Sequence, residues 1–495
     1  MFPEEFTERL KSQKYIDAKA LLKALEEPSP VSIRINPAKW VLRPANSDII
    51  PWCSNGFYLK NRPSYTLDPL FHSGCYYPQE ASSMFLEEVI KQASSSSGDL
   101  KVLDLCAAPG GKSTHLSDII GQGGLLVANE PIRSRAAILS ETITKWGSGN
   151  ALVTQSDPSA FGRLAGYFDV IVVDAPCSGE GMFRSEIALR EWSPANAFHC
   201  SERQKRILMN VWPALKENGI LVYSTCTFNP GENEENLKWI IEKNEAECIH
   251  IEISGFEGIT EIDFEGIRGY GFYPDKVRGE GFFISAIRKT GNHEVSHVKN
   301  QKNNELRPDK NDIKVAEEWT GFSKERLLKL SDGVMSVSCG IDDYLHLYRN
   351  LKIVKAGTKV FVVKNKNYLP SHELALSHQL KPGVFPDIGI ELSEALSYMK
   401  RDNFNLFNTP KGWNIIRYEG INMGFVNNLG NRVNNYFPVE WRIRMNLPEA
   451  GKENIIEWDQ KYFLNRNNLD ILCALAPRWQ KNNSHRGMKT QKGNK

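Results

Sequence analysis

Two cysteines lie in polar loops in which a thiol can react with a substrate. Cys177 stands in the segment Asp-Ala-Pro-Cys-Ser-Gly and Cys226 in Ser-Thr-Cys-Thr, each directly after an apolar run that predicts a strand. A lone cysteine is more often a small hydrophobic core residue. A metal site would need further Cys or His ligands at short spacing, and the sequence offers none there, so we predict no metal site. Covalent catalysis by a thiolate explains the pair better.

Acidic residues follow other apolar runs of the same region. Glu130 ends the second run and Asp157 follows the third. An acid at the end of the second strand of a nucleotide-binding unit accepts hydrogen bonds from ribose hydroxyls, and Asp157 is a candidate to hold the amino edge of an adenine. Either acid alone is more often a helix cap or a solvated loop residue. Because they follow successive strands, we favour a bound nucleoside.

The loop after the first run is glycine-rich but differs from known phosphate-binding loops. Gly111-Lys112-Ser113 fits the end of such a loop, but Cys106 stands where its first glycine is required, and the dinucleotide pattern GxGxxG is absent. The loop is then either a helix N-terminus that a ligand approaches closely or a tight turn without a ligand. S-adenosylmethionine (SAM) needs the ribose acid but no phosphate cradle, so it is the cofactor that fits.

Short apolar runs separated by helical stretches must position these loops. Continuous Val, Ile and Leu runs are typical of a parallel sheet buried on both faces, so we predict a doubly wound α/β domain over residues 101–290. Such sheets bind ligands beyond the carboxyl ends of their strands, which is where the acids and thiols gather. The runs are residues 101–105, 124–130, 151–154, 168–174, 219–223 and 281–287.

Several motifs of the chain are specific in combination. Those in its first 290 residues are Ser32–Pro37, Tyr77–Ser83, Asp104–Lys112, Asp174–Arg184, Trp192–Pro194, Ser224–Thr227 and Asn229–Glu234. They closely resemble the Sun/Fmu family of SAM-dependent RNA 5-methylcytosine methyltransferases. The C-terminal half resembles, more loosely, the PUA-like RNA-binding modules of the RsmF-type branch, which acts on small-subunit ribosomal RNA. That likeness rests on Pro370–Leu376, Gly412-Trp413 and Gly420–Gly424, whereas Gly424–Asn428 and Asn434–Pro438 depart from the branch's patterns and lack its Lys and His.

The resemblance implies a fold, a cofactor and a set of site residues. The fold is a Rossmann-like SAM-dependent methyltransferase domain with an N-terminal α/β extension and C-terminal β-rich PUA-like modules. Cys226 is implied as the nucleophile, Cys177 as the thiol that assists product release, and Asp174 as the acid that assists at the base. The implied SAM site is lined by Cys106, Ala107, Ala108, Pro109, Gly110, Gly111, Lys112, Glu130, Asp157 and Asp174.

Methylation at carbon 5 of cytosine gives these residue types a purpose. Carbon 5 is not nucleophilic enough to accept a methyl group directly, whereas addition of the Cys226 thiolate to carbon 6 turns the ring into an enamine. A neighbouring acid such as Asp174 that protonates or hydrogen-bonds a ring nitrogen is worth about 10²–10⁴ in rate. Ribosomal RNA or a small ribosomal subunit is the expected partner.

Other functions stay open. A DNA cytosine-5 enzyme would carry Pro-Cys-Gln where this chain has Pro176-Cys177-Ser178, and an amino-group methyltransferase would carry (Asn/Asp)-Pro-Pro-(Tyr/Phe). A tRNA cytosine-5 methyltransferase is a nearer alternative. A non-catalytic ribosome-assembly RNA-binding protein, whose enzyme domain is only a scaffold, is the alternative from another class.

The composition of the chain limits which partners and which cellular location we expect. The net charge of +2 means that RNA must meet local basic patches. No apolar stretch approaches the length of a membrane span, the N-terminus has no secretory signal, and nine sparse cysteines indicate a reduced, cytoplasmic protein; we expect a monomer. The candidate RNA contacts are Arg34, Arg184, Arg190, Arg203, Lys205 and Arg206.

A length of 495 residues predicts roughly three domains. A polar, asparagine-rich stretch and a basic C-terminus divide the chain further. We predict an N-terminal RNA-binding extension (1–95), the methyltransferase domain (96–290), a linker (291–312), a small accessory module (313–388), a PUA-like RNA-binding module (389–448) and a C-terminal extension with a basic tail (449–495).

Overall fold

The computed structural model describes residues 2–94, 99–291, 306–402, 409–449 and 453–459. These fall into two compact units. The small unit joins residues 42–45 to residues 456–459, with backbone hydrogen bonds of 2.8 Å from Ala45 to Glu457 and from Asp459 to Arg43. The large unit, residues up to 41 and 46–455, contains the four β-sheets. The predicted basic tail, residues 478–495, lies outside the described residues.

The N-terminal extension is an antiparallel sheet with short helices. Its strands, in the order β2-β3-β1-β4, are β1 (Val31–Ile35), β2 (Asp48–Ile49), β3 (Gly56–Leu59) and β4 (Tyr76–Pro78), and its helices are α1 (Glu4–Ser12), α2 (Ala18–Leu25) and α3 (Pro69–His72). Asp17 and Asp68 cap α2 and α3 by accepting backbone N–H groups. Strand β1 is buried along almost its whole length.

A ten-stranded sheet forms the methyltransferase domain. Its parallel core is β5 (Lys101–Asp104), β6 (Leu125–Asn129), β7 (Ala151–Thr154), β8 (Phe168–Asp174) and β9 (Leu215–Thr225), in the spatial order β9-β8-β5-β6-β7. The accompanying helices are α4 (Leu86–Ala93), α5 (Gly111–Ile120), α6 (Arg133–Trp146), α7 (Glu186–Glu191), α8 (Pro194–Val211) and α9 (Glu234–Lys243). The strand order reverses at β5, where such sheets bind ligands. This is the predicted Rossmann-like fold.

Beyond β9 the sheet becomes antiparallel, so the last predicted run does not join the parallel part of the sheet. The run predicted at 281–287 forms a strand that pairs antiparallel with β9, placing Phe283 opposite Thr225. Apolar runs do not reveal strand direction, because a strand buried on both faces has the same composition in either orientation. The added strands are β10 (Ala246–Cys248), β11 (Thr260–Phe264), β12 (Ile267–Phe272) and β13 (Phe282–Lys289).

The accessory module packs around a four-stranded antiparallel sheet. Its elements are α10 (Lys310–Trp319), β14 (Leu327–Leu330), β15 (Gly333–Ser336), α11 (Ile341–Asn350), β16 (Ile353–Ala356), β17 (Thr358–Lys364), β18 (Asn367–Pro370) and α12 (His372–Leu376). Asp309 caps α10, so this helix begins inside the stretch predicted as a linker. Strand β16 pairs antiparallel with β7 and extends the methyltransferase sheet beyond residue 290. It thereby covers an edge whose backbone groups would otherwise be unpaired.

The last sheet belongs to the PUA-like module. Its elements are β19 (Asp387–Gly389), α13 (Leu392–Lys400), β20 (Gly412–Tyr418), β21 (Ile421–Asn428) and β22 (Val433–Asn435). Gly412-Trp413, one of the motifs that resemble the RsmF-type modules, begins β20. No helix in the described part of the chain is both long and apolar enough to cross a membrane.

Strands β6 and β7 are buried at every residue. Burying one Leu or Val side chain contributes about 1.5–3 kcal/mol, so the central strands are fixed in place. Their loops are therefore held on a rigid support.

Candidate active site

The glycine loop connects β5 to α5 and packs closely on its neighbours. Gly110 has φ +117°, and a Cβ there would lie 2.8 Å from the Thr142 side chain. A Cβ on Gly111 would lie 2.9 Å from the ring of Tyr77. Both glycines are thus required by packing, as the tight-turn interpretation of the loop holds. The close approach of Tyr77 also makes β4, from the N-terminal extension, one wall of the site.

A cleft of about 180 Å³ opens beside this loop. Seven of the ten residues implied for SAM line it, and residues of the N-terminal extension, which the sequence did not assign to the cofactor, line the rest. Glu80 among them is fixed by three backbone N–H groups, of Ser82, Ser83 and Glu280, at 2.8–2.9 Å. The lining residues are Tyr77, Pro78, Gln79, Glu80, Ser83, Cys106, Ala107, Ala108, Pro109, Gly111, Lys112 and Asp174.

Asp174 is held between two side chains at the edge of the cleft. The Lys112 ammonium lies 2.9 Å from one carboxylate oxygen, and the Ser224 hydroxyl donates to the other at 2.8 Å. Burial lowers the pKa of Lys112, but the charge and hydrogen bond of Asp174, together with the charges of Asp104 and Glu80, outweigh burial, and the net shift is upward from 10.5. Lys112 therefore keeps its charge beside Asp174.

Asp104, the last residue of β5, is a site residue that the sequence reasoning missed. Its side chain is fully buried, and one oxygen accepts the Ser113 hydroxyl at 2.6 Å. The other oxygen has no hydrogen-bond partner in the described part of the chain. Burial raises its pKa to about 7. An orphaned acceptor at the base of the glycine loop fits the ammonium group of SAM; its place directly before the loop was the available signal.

Glu130 and Asp157 do not line the cleft. Glu130 is buried at the end of β6, where its carboxylate accepts the Ile132 N–H at 2.9 Å and lies 3.4 Å from Arg135. Asp157 is exposed and caps a short 3₁₀ helix through the backbone N–H and hydroxyl of Ser159. Gly110 is also outside the cleft lining. The present contacts of Asp157 are therefore those of a helix cap, which is the alternative that the sequence also allowed.

The two predicted thiols meet. The Sγ atoms of Cys177 and Cys226 are 2.9 Å apart, and the backbone N–H of Cys226 donates to the sulfur of Cys177 at 3.3 Å. Both residues are half-buried. The hydrogen bond to Cys226 and burial raise the pKa of Cys177 well above its ordinary value. The loops after β8 and β9 thus form one two-sulfur site, next to the strand ends that carry Asp174 and Ser224.

Two of the arginines predicted to contact RNA are instead structural. The Arg34 side chain is 1% exposed; it pairs with Asp118 at 2.7 Å and donates to Thr114 on α5 at 2.6 Å. Arg184, also buried, pairs with Glu280 at 3.1 Å. Arg34 thereby joins the extension to the methyltransferase domain. The donors of both arginines are already used by protein acceptors, so the prediction that they bind phosphate is wrong.

The other four cations lie nearer the surface. Arg190 and Lys205 form helical ion pairs with Glu186 and Glu202. Such exposed pairs contribute about 0.3–0.5 kcal/mol, so their cations are readily redirected to a phosphate. Arg203 and Arg206 are exposed on α8.

A buried Cys-Glu-His cluster lies apart from the cleft. The His115 ring nitrogen is 3.1 Å from Glu87 and 3.8 Å from the sulfur of Cys53. Burial lowers the pKa of His115 to about 4. The sequence did not predict this grouping, because its members come from separate elements.

Comparison with known proteins matches three parts of the chain. Residues 94–288 match a family described as 16S rRNA methyltransferase RsmB/F, residues 2–81 the N-terminal domain of 16S rRNA methyltransferase RsmF, and residues 385–443 the methyltransferase RsmF PUA domain. The match at 94–288 contains both thiols and the part of the cleft formed by Cys106–Lys112 and Asp174.

Relatives extend this likeness over most of the chain. A ribosomal RNA small subunit methyltransferase F from Shewanella piezotolerans is 30% identical over 79% of this chain and 84% of its own. One from Enterobacter is 28% identical over 89% and 95%. A solved methyltransferase homolog from Pyrococcus horikoshii, 28% identical, superposes with a TM-score of 0.50 over 58% of this chain and 95% of its own. The chain therefore belongs to the ribosomal RNA small subunit methyltransferase F family, and its cofactor is SAM.

Proposed function

We propose that this protein methylates carbon 5 of a cytosine in small-subunit ribosomal RNA through a covalent bond between Cys226 and carbon 6. The observation that carries the proposal is the pair of thiols, 2.9 Å apart at the ends of adjacent strands. One sulfur is needed to attack the ring and a second to assist its release. The names of the relatives supply the ribosomal RNA.

Each side chain has a task in this reaction. Cys226 adds to carbon 6, which gives carbon 5 enamine character, and bound SAM supplies an electrophilic methyl group. Water at the site then takes the proton from carbon 5 as the bond between Cys226 and carbon 6 breaks, and the Cys177 thiol assists release by donating a hydrogen bond to the departing Cys226 thiolate. Asp174, held by Lys112 and Ser224, accepts a hydrogen bond from the 4-amino group of cytosine, and the Lys112 ammonium is the donor available to ring nitrogen 3.

SAM binding rests on the loop between β5 and α5. Cys106, Ala107, Ala108 and Pro109 present backbone to the cleft, and Asp104 offers an acceptor to the ammonium group. Glu130 binds the ribose hydroxyls and Asp157 the adenine edge in this proposal. Both acids must then exchange a present local contact for one to SAM.

The test is methyl transfer from labelled SAM to ribosomal RNA and to immature small subunits from a deletion strain. Transfer to one cytosine, located by bisulfite mapping, is expected, together with its loss in Cys226→Ala. Cys248→Ala, at the sheet edge on β10, is the matched control and should retain activity. Transfer to tRNA alone would favour the tRNA enzyme. Binding of RNA without transfer to any RNA would favour the assembly protein.

We also propose the six-part division of the chain given above, with RNA contacts in the extension of residues 1–95 and in the module of residues 389–448. The matches to the RsmF N-terminal and PUA domains support it. A monomer acting in the cytoplasm is the corresponding proposal for its state and location. Sedimentation of the purified protein alone and with RNA tests the first of these.

A further inference from the structure

A fully buried carboxylate, that of Glu232, lies between the two thiol loops. One of its oxygens accepts the Ser178 N–H at 2.8 Å and the Gln204 amide at 3.2 Å. Its other oxygen accepts the Ser178 hydroxyl at 2.5 Å, the Asn229 amide at 3.2 Å and the Thr227 hydroxyl at 3.4 Å. This one side chain therefore gathers donors from both loops.

The donors are the immediate neighbours of the reactive sulfurs. Ser178 follows Cys177 and Thr227 follows Cys226, and their two hydroxyls are 3.0 Å apart. Gln204 on α8 also donates to the carbonyl of Pro176, on the other side of Cys177, at 3.0 Å. A shift of the Glu232 side chain would consequently move the backbone on which each sulfur stands.

The charge of Glu232 acts on the thiols as well. Its hydrogen-bond partners named above are all neutral, so they stabilise the carboxylate without cancelling its charge. A buried charge acts strongly on its neighbours because the local dielectric is low. The hydrogen bond to Cys226, burial, and the charges of Cys226 and Glu232 together raise the pKa of Cys177. Cys177 is accordingly the sulfur that keeps a proton.

We infer that Glu232 is a positioning residue that holds the Cys177 thiol against Cys226 and keeps their shared proton on Cys177. Of the two protons that the pair can carry, one leaves to solvent. The other stays on Cys177 and is donated in a hydrogen bond to the Cys226 sulfur, which remains the nucleophile. The inference deepens the proposed function, on which it rests for the roles of the two sulfurs.

The test compares Glu232→Gln, which removes the charge at nearly constant shape, with Glu235→Gln, an exposed position three residues along. A limiting amount of iodoacetamide at about pH 8 reports the thiolate share of each sulfur, quantified by peptide mass spectrometry. In the wild type and Glu235→Gln, Cys226 should react first. In Glu232→Gln the ratio of Cys177 to Cys226 alkylation should rise about tenfold, as for a one-unit change in their pKa difference.

Turnover gives a second readout. Glu232→Gln should lower kcat about tenfold or more, because the sulfurs would be misplaced. The KM for SAM should stay unchanged, because Glu232 does not line the cleft. Unchanged alkylation ratio and kcat in a folded Glu232→Gln protein would overturn the inference. If that variant fails to fold, Ser178→Ala, which removes one hydroxyl from the network and keeps the charge, replaces it. Ser178→Ala should lower kcat while the ratio of Cys177 to Cys226 alkylation stays close to that of the wild type. A wild-type kcat in this variant would overturn the positioning role.

The two proposals fail separately. The alkylation ratio needs no RNA, so it tests Glu232 even if the wild type methylates no RNA, a result that would count against the proposed function alone. A wild type that methylates cytosine through Cys226, with a ratio that ignores Glu232, would count against the inference alone.

Discussion

At the scale of single residues, the site depends on contacts between groups that are far apart in the sequence. Cys177 and Cys226 are 49 residues apart, and Lys112 and Asp174 are 62 apart. The first contact joins the loops after β8 and β9, and the second joins the start of α5 to the end of β8. The reactivity of these side chains is therefore set by the sheet as much as by their own chemistry.

Replacement of Cys177 by Ala tests its release role. We expect the variant to add Cys226 to the base but to release it slowly, so that an RNA–protein adduct accumulates during incubation with SAM and RNA. A denaturing gel with labelled RNA measures the adduct. The double variant with Cys226→Ala should form none, and normal turnover by Cys177→Ala would contradict the role.

Asp104 predicts a pH dependence of SAM binding. Its pKa in the folded protein is about 7, so the carboxylate is ionised above that pH and neutral below it. If the ammonium group of SAM binds the ionised form, affinity should rise about tenfold from pH 5.5 to pH 7, a range in which the amine of SAM stays charged, as measured by titration calorimetry. Asp104→Asn should bind weakly at both values, whereas the exposed Asp263→Asn should behave as the wild type; a pH-independent wild type would refute the contact.

At the scale of elements, the cofactor loop is packed against two neighbouring elements. The loop between β5 and α5 presses on Thr142 of α6 and on Tyr77 of β4. The buried guanidinium of Arg34, on β1, in turn forms a hydrogen bond and an ion pair with side chains of α5. Removing one partner of a buried ion pair costs about 3–5 kcal/mol. The extension is thus part of the support of the SAM site.

Gly110→Ala separates steric contact from backbone strain when it is compared with Gly121→Ala. Both glycines have positive φ, but a Cβ at Gly121 would meet no atom within 4 Å, whereas at Gly110 it would meet Thr142. Gly121→Ala should cost about 1–3 kcal/mol from its backbone conformation alone, because φ +66° with ψ −172° is a region essentially confined to glycine. Gly110→Ala should cost more and should also weaken SAM binding. Denaturant titration measures the first and calorimetry the second; equal costs would contradict the packing argument.

At the scale of the whole molecule, buried basic groups lie where the extension, the methyltransferase domain and the C-terminal modules meet. The His372 ring packs edge-on against Phe437 and Trp441, and both its nitrogens lack a partner within the described residues. Burial, with the charges of Lys145 and Lys39, lowers its pKa to about 3. His372 is therefore neutral in the folded protein at neutral pH.

This arrangement predicts a loss of stability in acid. Below about pH 6.5 the unfolded chain binds a proton at His372 that the folded protein does not, so the free energy of unfolding falls by up to about 1.4 kcal/mol per pH unit from this group. His372→Leu should flatten the decline between pH 6.5 and 4 in denaturant titrations. His250→Gln, an exposed histidine, should leave it unchanged, and parallel curves for the wild type and His372→Leu would refute the prediction.

The sequence by itself determined the strands, the glycine loop and the two thiols. Apolar runs mark buried strands, and the loops that follow them must meet at the carboxyl edge of a parallel sheet, so Cys177 and Cys226 could be brought together without a structure. These are local signals, complete within a dozen residues. The family motifs are local signals too, and they indicated the cofactor.

Only the tertiary structure decided what each polar side chain touches. Arg34 and Arg184 looked available for phosphate, yet both are buried against acids more than eighty residues away. The orphaned oxygen of Asp104, the pairing of β16 with β7 and the place of Glu232 between two loops were equally hidden. Burial and hydrogen bonding depend on partners that come together only when distant segments pack, and no local pattern records them.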